Sequence, residues 1–328
     1  MLGLGIIGCG LIGRKRAEAL GTHWTLVACA DPRRERAQSL ANGYTHNPVQ
    51  VFDHWQTLLT LPEVDAVVIA TTHDALVPVA CSALCAGKPV LIEKPAARSV
   101  EELIPLLELA LKQTAIVRVG FNHRYHRAMR KTRELLDADA LGELMFIRAR
   151  YGHGGRVGYD REWRSDPAIS GGGELLDQGT HLIDLSRWFL GKNLAVTCGK
   201  ARTFYWNMPV DDNAFMLLET AEQQIAFLHA SCTEWKNLFS FEIYGRKGKI
   251  EISGLGGSYG VEKITWYNLL PTLGPPETMA WEYPMSDDSW EKEMDAFYDD
   301  IVEGKQPQPG LPDALEVLKV VQSVYRGI

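Results

Sequence analysis

The chain has 328 residues, 46% hydrophobic and 23% charged, with a formal net charge of −7. That length exceeds one ordinary core and predicts two domains of a globular protein. The acidic balance argues against a nucleic-acid partner, which needs a basic surface, and no apolar run approaches the roughly 20 residues that cross a bilayer.

In chain order, the apolar start Leu2–Ile12 is broken by glycines and lacks a basic flank, so it reads as a buried first strand and not as a signal peptide. Up to about residue 120, strands are predicted at Leu4–Ile7, Leu26–Ala30, Ala66–Ala70, Val90–Ile92 and Ile116–Val119. Helices alternate with them near Leu11–Leu20, Arg33–Leu40, Val77–Ala86 and Val100–Leu111, with Gly87 as a C-cap. Nearly continuous apolar strands interleaved with helices imply a parallel sheet covered on both faces.

The loop Gly8-Cys9-Gly10-Leu11-Ile12-Gly13 joins the first strand to the first helix. In that context G-x-G-x-x-G is a dinucleotide-binding signature: Gly8 makes the turn, Gly10 admits a pyrophosphate and Gly13 lets helix and strand touch. Asp31 closes the second strand, placed to accept the ribose hydroxyls, and predicts NAD. Arg33 and Arg34 beside it leave NADP open. The bland alternative is a tight turn with no ligand. The six cysteines (Cys9, Cys29, Cys81, Cys85, Cys198 and Cys232) are scattered through apolar segments and predict reduced thiols in a cytoplasmic protein.

After residue 120 the pattern changes. Asn122–Asp137 reads as a linker and a helix, Leu144–Tyr151 as a strand, and a polar glycine-rich loop then leads into a long helix from Leu176 to Phe189. Strands follow at Ala214–Glu219, Ile225–Cys232, Phe239–Tyr244 and Lys249–Ser253. Turns such as Gly245-Arg246-Lys247-Gly248 separate them and predict antiparallel pairing. Helices close the chain at Trp290–Val302 and Leu311–Tyr325. The expected architecture is an α/β Rossmann domain (1–121) followed by an α+β substrate and oligomerisation domain (122–328) with a large, mostly antiparallel open sheet. The C-terminal helices are placed to pack back on the first domain. A homodimer or homotetramer formed through the open sheet face would cover it.

Three segments carry a family resemblance: Ala86-Gly87-Lys88-Pro89-Val90-Leu91-Ile92-Glu93-Lys94-Pro95, Trp163-Arg164-Ser165-Asp166-Pro167, and Gly171-Gly172-Gly173-Glu174-Leu175-Leu176-Asp177-Gln178-Gly179-Thr180-His181-Leu182-Ile183-Asp184. Together with the terminal Phe297, Ile301, Gly304, Pro307 and Asp313-Ala314 pattern, they resemble the Gfo/Idh/MocA oxidoreductases over essentially the whole chain. On position alone, Lys94 sits at the carboxyl end of a parallel strand, where ligands bind in open α/β sheets, and burial or a cofactor can tune its proton affinity. The resemblance implies that it is the catalytic lysine. Asp177 and His181, four apart on the predicted helix, would share a face. Asp177 would then orient the imidazole, His181 would exchange the substrate proton and Asp184 would support them. A capped helix start with a structural histidine is the bland reading. A metal held by Asp177, His181 and Asp184 lacks further ligands at useful spacing.

The resemblance also implies cofactor contacts from Thr71, Thr72 and His73, where many relatives carry Thr-Pro-Asn and then a histidine that is Leu76 here, and from Glu93, Asn122, Trp163 and Arg164. It implies a sugar, inositol or nucleotide-sugar substrate oxidised or reduced at a secondary hydroxyl or ketone. Lys94, Arg124, Tyr151, Asp177, Gln178 and His181 would hold that substrate. His153, Arg156, Tyr159 and Trp235 are further polar candidates, and the loop Gly152–Asp160 would set specificity. Two other activities occur or are conceivable in such a family: NAD-dependent glycoside hydrolysis and non-catalytic NAD-dependent regulation.

Overall fold

The computed structural model describes residues 1–45 and 47–327. The chain forms two compact units, one of Met1–Phe121 with Trp290–Leu315, the other of Asn122–Ser289 with the chain from Glu316 onward.

In the first unit, six parallel strands lie in the order β3-β2-β1-β4-β5-β6: β1 Leu2–Ile7, β2 Trp24–Ala30, β3 Gln50–Phe52, β4 Ala66–Ile69, β5 Val90–Glu93 and β6 Val117–Gly120. The central strands β4 and β5 are buried at every residue, as their unbroken apolar sequences require. Helices α1 Leu11–Glu18, α2 Arg34–Gly43, α3 Trp55–Leu59, α4 His73–Cys85 and α5 Val100–Gln113 connect them. The sequence reading missed β3, a three-residue edge strand opening on an exposed Gln50, because it is too short to show a period. It also began α4 at Val77, whereas the helix starts at His73 with Thr72 as N-cap. Gly87, at φ +70°, ends that helix as expected.

The unit's core includes Leu4, Ile6, Leu26 and Val68 together with Met294 and Phe297 from α9 (Ser289–Glu303, numbered after the helices of the second unit). Trp24 stacks on Phe297 with centroids 5.4 Å apart, and its indole N–H donates to the Met294 carbonyl at 3.1 Å. A residue far along the chain therefore completes the packing of β2.

The second unit holds α6 Arg127–Asp137, the single turn α7 Pro167–Ser170, α8 Thr180–Leu190 and an eight-stranded sheet in the order β14-β13-β12-β11-β7-β10-β9-β8. The strands are β7 Leu144–Gly152, β8 Ala195–Arg202, β9 Asn213–Glu219, β10 Ile225–Ser231, β11 Leu238–Gly245, β12 Gly248–Ser253, β13 Glu262–Asn268 and β14 Glu277–Tyr283. Every pairing is antiparallel except β7 with β10. Gly245 pairs with Gly248 across the two-residue turn Arg246-Lys247, so that turn sets the register of β11 and β12. The mostly exposed edge strand β14 was not foreseen.

Period-two burial along β11 separates a buried face from one where Phe146, Phe215 and Phe227 remain 37%, 39% and 48% exposed. On that second face Phe146 stacks on Tyr244 and Phe215 on His229, at 4.3 and 4.2 Å between centroids. The final helix, α10, spans Leu311–Arg326, and the division between the units falls within it. Among the described residues no helix is long and apolar enough to cross a membrane.

Candidate active site

In the first unit, β1 hands the chain to Gly8, whose φ of +94° is left-handed and whose N–H donates to the Ala30 carbonyl at 2.8 Å. A Cβ at Gly13 would overlap the Gly8 carbonyl oxygen, so α1 sits against the turn as closely as glycine allows. Gly10 differs, because a Cβ there would meet nothing within 4 Å. Internal packing does not demand that glycine, whereas an approaching ligand would. Gly10 is also the N-cap of α1, without a side-chain cap and without an acid in the first turn formed by Leu11, Ile12 and Gly13. Uncapped N–H groups at a helix start favour an anion.

Asp31 follows β2, and its carboxylate accepts the Cys9 N–H at 2.9 Å and the Arg33 N–H at 2.8 Å, one on each oxygen. Each oxygen keeps a second acceptor site, which suits a vicinal diol. Arg34 pairs with Asp53 at 2.9 Å, while Arg33 lies exposed as the N-cap of α2. On these grounds the residues fit a dinucleotide. In the segment after β4, the Thr72 hydroxyl pairs with Asp74 at 2.6 Å and that of Thr71 donates to the Thr72 carbonyl at 3.0 Å, while His73 is buried.

Lys94, half-buried, comes directly after β5 at the carboxyl edge of the sheet, the edge that also carries the glycine loop. The carboxylate of Glu93, a residue expected to contact the cofactor, is engaged by Arg16, whose Nε donates at 2.7 Å. Arg16 is fully buried and reaches Glu293 of α9 at 2.6 Å. Burial pushes the Glu293 carboxyl up to about 7; Arg16 opposes that rise and Glu93 adds to it. A Cβ at Gly120 would crowd both Glu93 and Arg16. Arg16 and Glu293 escaped the sequence reading because a helical Arg beside Lys15, and an acid 277 positions later, look like surface charges.

In the second unit, the Gly171-Gly172-Gly173 run is shaped by an anchor that the sequence did not reveal. The Asp211 carboxylate accepts the Gly173 N–H at 3.0 Å, the Leu175 N–H at 2.8 Å and the Tyr325 hydroxyl at 2.7 Å. A Cβ at Gly173 would overlap the Asp211 backbone, and one at Gly172 the Tyr325 hydroxyl. The chain then enters a π turn over Leu175–Gly179 before α8 begins. This corrects the single helix expected from Leu176: i→i+5 bonding widens the turn and changes the facing of Asp177 relative to an α-helix.

Asp177 is buried and accepts from Arg164 Nε at 2.9 Å, and Arg164 also lies 4.6 Å from the Trp163 ring centroid. His181 is buried with its ring 3.7 Å, centroid to centroid, from that of His123. Tyr151 borders both imidazoles, at 5.2 Å from His123 and 6.1 Å from His181. Burial, and then the adjacent Tyr259, push the Tyr151 hydroxyl well above its usual range, so it stays a neutral hydrogen-bonding group. Gln178 is half-buried beside this group in sequence.

Arg124, expected to grip substrate, instead makes a bidentate ion pair with Asp184 at 2.8 and 2.6 Å, both side chains buried. Asp184 therefore anchors Arg124. Asn122 donates to Ser289 at 3.1 Å and lies 3.3 Å from His123 through its carbonyl oxygen. His123 is the residue that motif reading passed over; only its neighbours Asn122 and Arg124 stood out.

A glycine loop at the edge of a parallel sheet, with Asp31 after β2 and Lys94 on the same edge, fits a dinucleotide-binding Rossmann domain. Comparison with protein families narrows this. The oxidoreductase family with an NAD-binding Rossmann fold matches residues 2–121, and the GFO/IDH/MocA C-terminal domain matches residues 129–251. The chain belongs to the GFO/IDH/MocA oxidoreductase family.

It is similar to inositol 2-dehydrogenase 2 of Saccharopolyspora erythraea, 28% identical over 67% of this chain and 63% of that relative's length. Among solved structures, an oxidoreductase domain protein from Kribbella flavida has a TM-score of 0.87 at 24% identity, covering 99% of this chain and 96% of that one. A levoglucosan dehydrogenase in complex with NADH and levoglucosan also scores 0.87, at 22% identity, covering 99% and 97%. These structural likenesses establish the shared fold.

Proposed function

We propose that this chain is a cytoplasmic NAD-dependent dehydrogenase that moves a hydride between nicotinamide and a secondary hydroxyl or ketone of a sugar, inositol or nucleotide sugar. The observation that carries the reading is the position of Lys94, on the sheet edge that also holds the uncapped start of α1. Bound nicotinamide supplies the hydride acceptor. Asp31 accepts the ribose diol and its charge disfavours a 2′-phosphate, so NAD is preferred over NADP. Gly10 admits the pyrophosphate, with Thr71, Thr72, His73 and Asn122 lining the cofactor.

Lys94 and His181 handle the substrate proton: in the oxidative direction the hydroxyl proton passes to one of them as the carbinol carbon gives up its hydride. Asp177, held by Arg164, supplies the negative charge that favours a protonated neighbour, and Tyr151 and Gln178 offer hydrogen bonds to a polyol. Arg124 holds α8 through Asp184 and so positions His181 without touching substrate. Relatives named inositol 2-dehydrogenase and levoglucosan dehydrogenase support a polyhydroxylated substrate.

The test is Lys94→Ala assayed by NADH formation over a panel of sugars, inositols and nucleotide sugars. Turnover should fall by about 10²–10⁴-fold while NAD affinity, read by fluorescence titration, stays within about threefold; undiminished turnover would refute the assignment. We further propose that the aromatic face of the second unit's sheet pairs with a second copy, since Phe146, Phe215 and Phe227 form a patch that a monomer leaves wet. Light scattering should give at least twice the 36.6 kDa chain mass, and a single-chain mass would count against it.

A further inference from the structure

A second set of aromatic side chains in the second unit lies apart from the sheet face. Tyr205 and Trp235 are 62% and 63% exposed, and their rings meet edge to face at 4.7 Å between centroids, 80° apart. Large aromatics left in water at that level normally fold down onto an apolar neighbour. Here the backbone holds them out.

Three successive N–H groups, of Phe204, Tyr205 and Trp206, donate to the buried Asp212 carboxylate at 2.9, 2.7 and 3.1 Å. These bonds hold the Asp212 carboxyl below its usual range against the effect of burial. Trp206 donates its indole N–H to the Cys232 carbonyl at 3.0 Å. Gly155, at φ +68°, lies against that indole, where a Cβ would collide with it.

Trp235 itself has φ +56°, a left-handed conformation that bulky residues rarely adopt. Strain at an exposed tryptophan is kept where it aims the ring at something. The rings continue inward: Tyr205 meets Trp206, Trp206 lies 5.5 Å from Tyr159, and Tyr159 lies 5.5 Å from His153. The platform is thus joined by one packed row of rings to His153, whose Nε2 lies 3.8 Å from Glu174, three residues before Asp177.

We propose that Tyr205 and Trp235 form a stacking subsite for a second pyranose ring, so that the substrate is a glycoside or short oligosaccharide whose terminal ring reacts. This rests on the sugar-oxidoreductase reading above. A pyranose has an apolar C–H face that lies on an aromatic ring, and its hydroxyl rim is served by Arg156 on the loop beside it. The charge balance selects an uncharged ring over a nucleoside diphosphate: residues 153–162 and 233–236 carry Arg156, Arg161 and Lys236 against Asp160, Glu162 and Glu234. Arg156 is moreover already paired with Glu162 at 2.6 Å. No excess of positive charge awaits a diphosphate.

The experiment measures binding of glucose, cellobiose, maltose and UDP-glucose to the full chain with NAD present, by saturation-transfer NMR and calorimetry. At least one disaccharide should bind about tenfold more tightly than glucose, with saturation transferred to both rings. Trp235→Ala should reduce that affinity to the glucose value and leave glucose binding within twofold, while Trp235→Phe should keep most of the gain. Circular dichroism checks that each variant is folded. Disaccharides that bind no better than glucose, a gain confined to UDP-glucose, or a Trp235→Ala variant whose mass in light scattering differs from wild type would each overturn the proposal. Tight, Trp235-dependent disaccharide binding without NADH formation from any sugar would sustain the subsite and break the dehydrogenase reading instead.

Discussion

The glycine loop of the first unit and the glycine run of the second solve different problems with the same residue. At Gly8–Gly13 the constraint is mostly local: the left-handed turn, the helix start and the collision avoided at Gly13 all lie within a few residues, and only the Cβ excluded at Gly8 would strike a distant backbone, that of Ala70 after β4. Gly10 alone of the three faces open space, which leaves room for a ligand to approach. At Gly172 and Gly173 the constraint is remote, because the atoms that forbid a side chain belong to Tyr325 and Asp211. The first loop is therefore a motif in the strict sense, readable from a single stretch of chain. The second is half of a packing arrangement whose other half lies far along the sequence.

A paired substitution tests that contrast most sharply. Gly13→Ala should displace α1 from the turn and weaken NAD binding by about 100-fold or more, the scale expected when a binding geometry shifts by around an ångström. Gly173→Ala should instead displace Asp177 and His181 and reduce turnover by about 100-fold, with NAD affinity nearly unchanged. Titration of NAD fluorescence against steady-state turnover separates the two. If Gly173→Ala weakened NAD as much as Gly13→Ala does, the two glycine sets would not act independently.

A smaller effect sharpens the same comparison, because the first unit also has a remote partner hidden beneath its local motif. Glu293 is buried against Arg16 with its carboxyl raised to about 7 from an ordinary 4.5. Between those values the folded chain binds more protons than the unfolded one, so this group's contribution to stability falls as pH rises through the window and is constant above it. The total amounts to about 3 kcal/mol from the size of the shift. Glu293→Gln keeps the shape and removes the titration. The Tm difference, variant minus wild type, should therefore grow more positive from pH 5 to pH 8. A difference independent of pH would show that Glu293 stays ionised beside Arg16 throughout.

Much of the first unit was legible because its signals are short-range. The apolar strands, the glycine spacing and Asp31 at the end of β2 each follow from neighbours in sequence. What escaped there was β3, too short to show a period, and the Arg16–Glu93–Glu293 network, whose members look like surface charges until α9 buries them. In the second unit, Asp177 and His181 were found as residues but not as a geometry. The four-residue spacing implied a shared α-helical face, and the π turn over Leu175–Gly179 changed it. Arg124 likewise read as a substrate cation, and the structure commits its guanidinium to a bidentate pair with Asp184.

The sequence by itself therefore determined the parallel sheet, the dinucleotide loop, the placement of Lys94 after β5 and the family. In each case one local stretch carries both the residues and the reason for their spacing. Only the tertiary structure decided which charges are spent internally. It set Glu93 and Arg124 in buried ion pairs, turned Asp177 to Arg164, packed His123 against His181 and held Tyr205 and Trp235 out in water. A charged or aromatic side chain commits to a partner according to what lies within a few ångströms of it, and in this fold those partners lie up to 277 residues away.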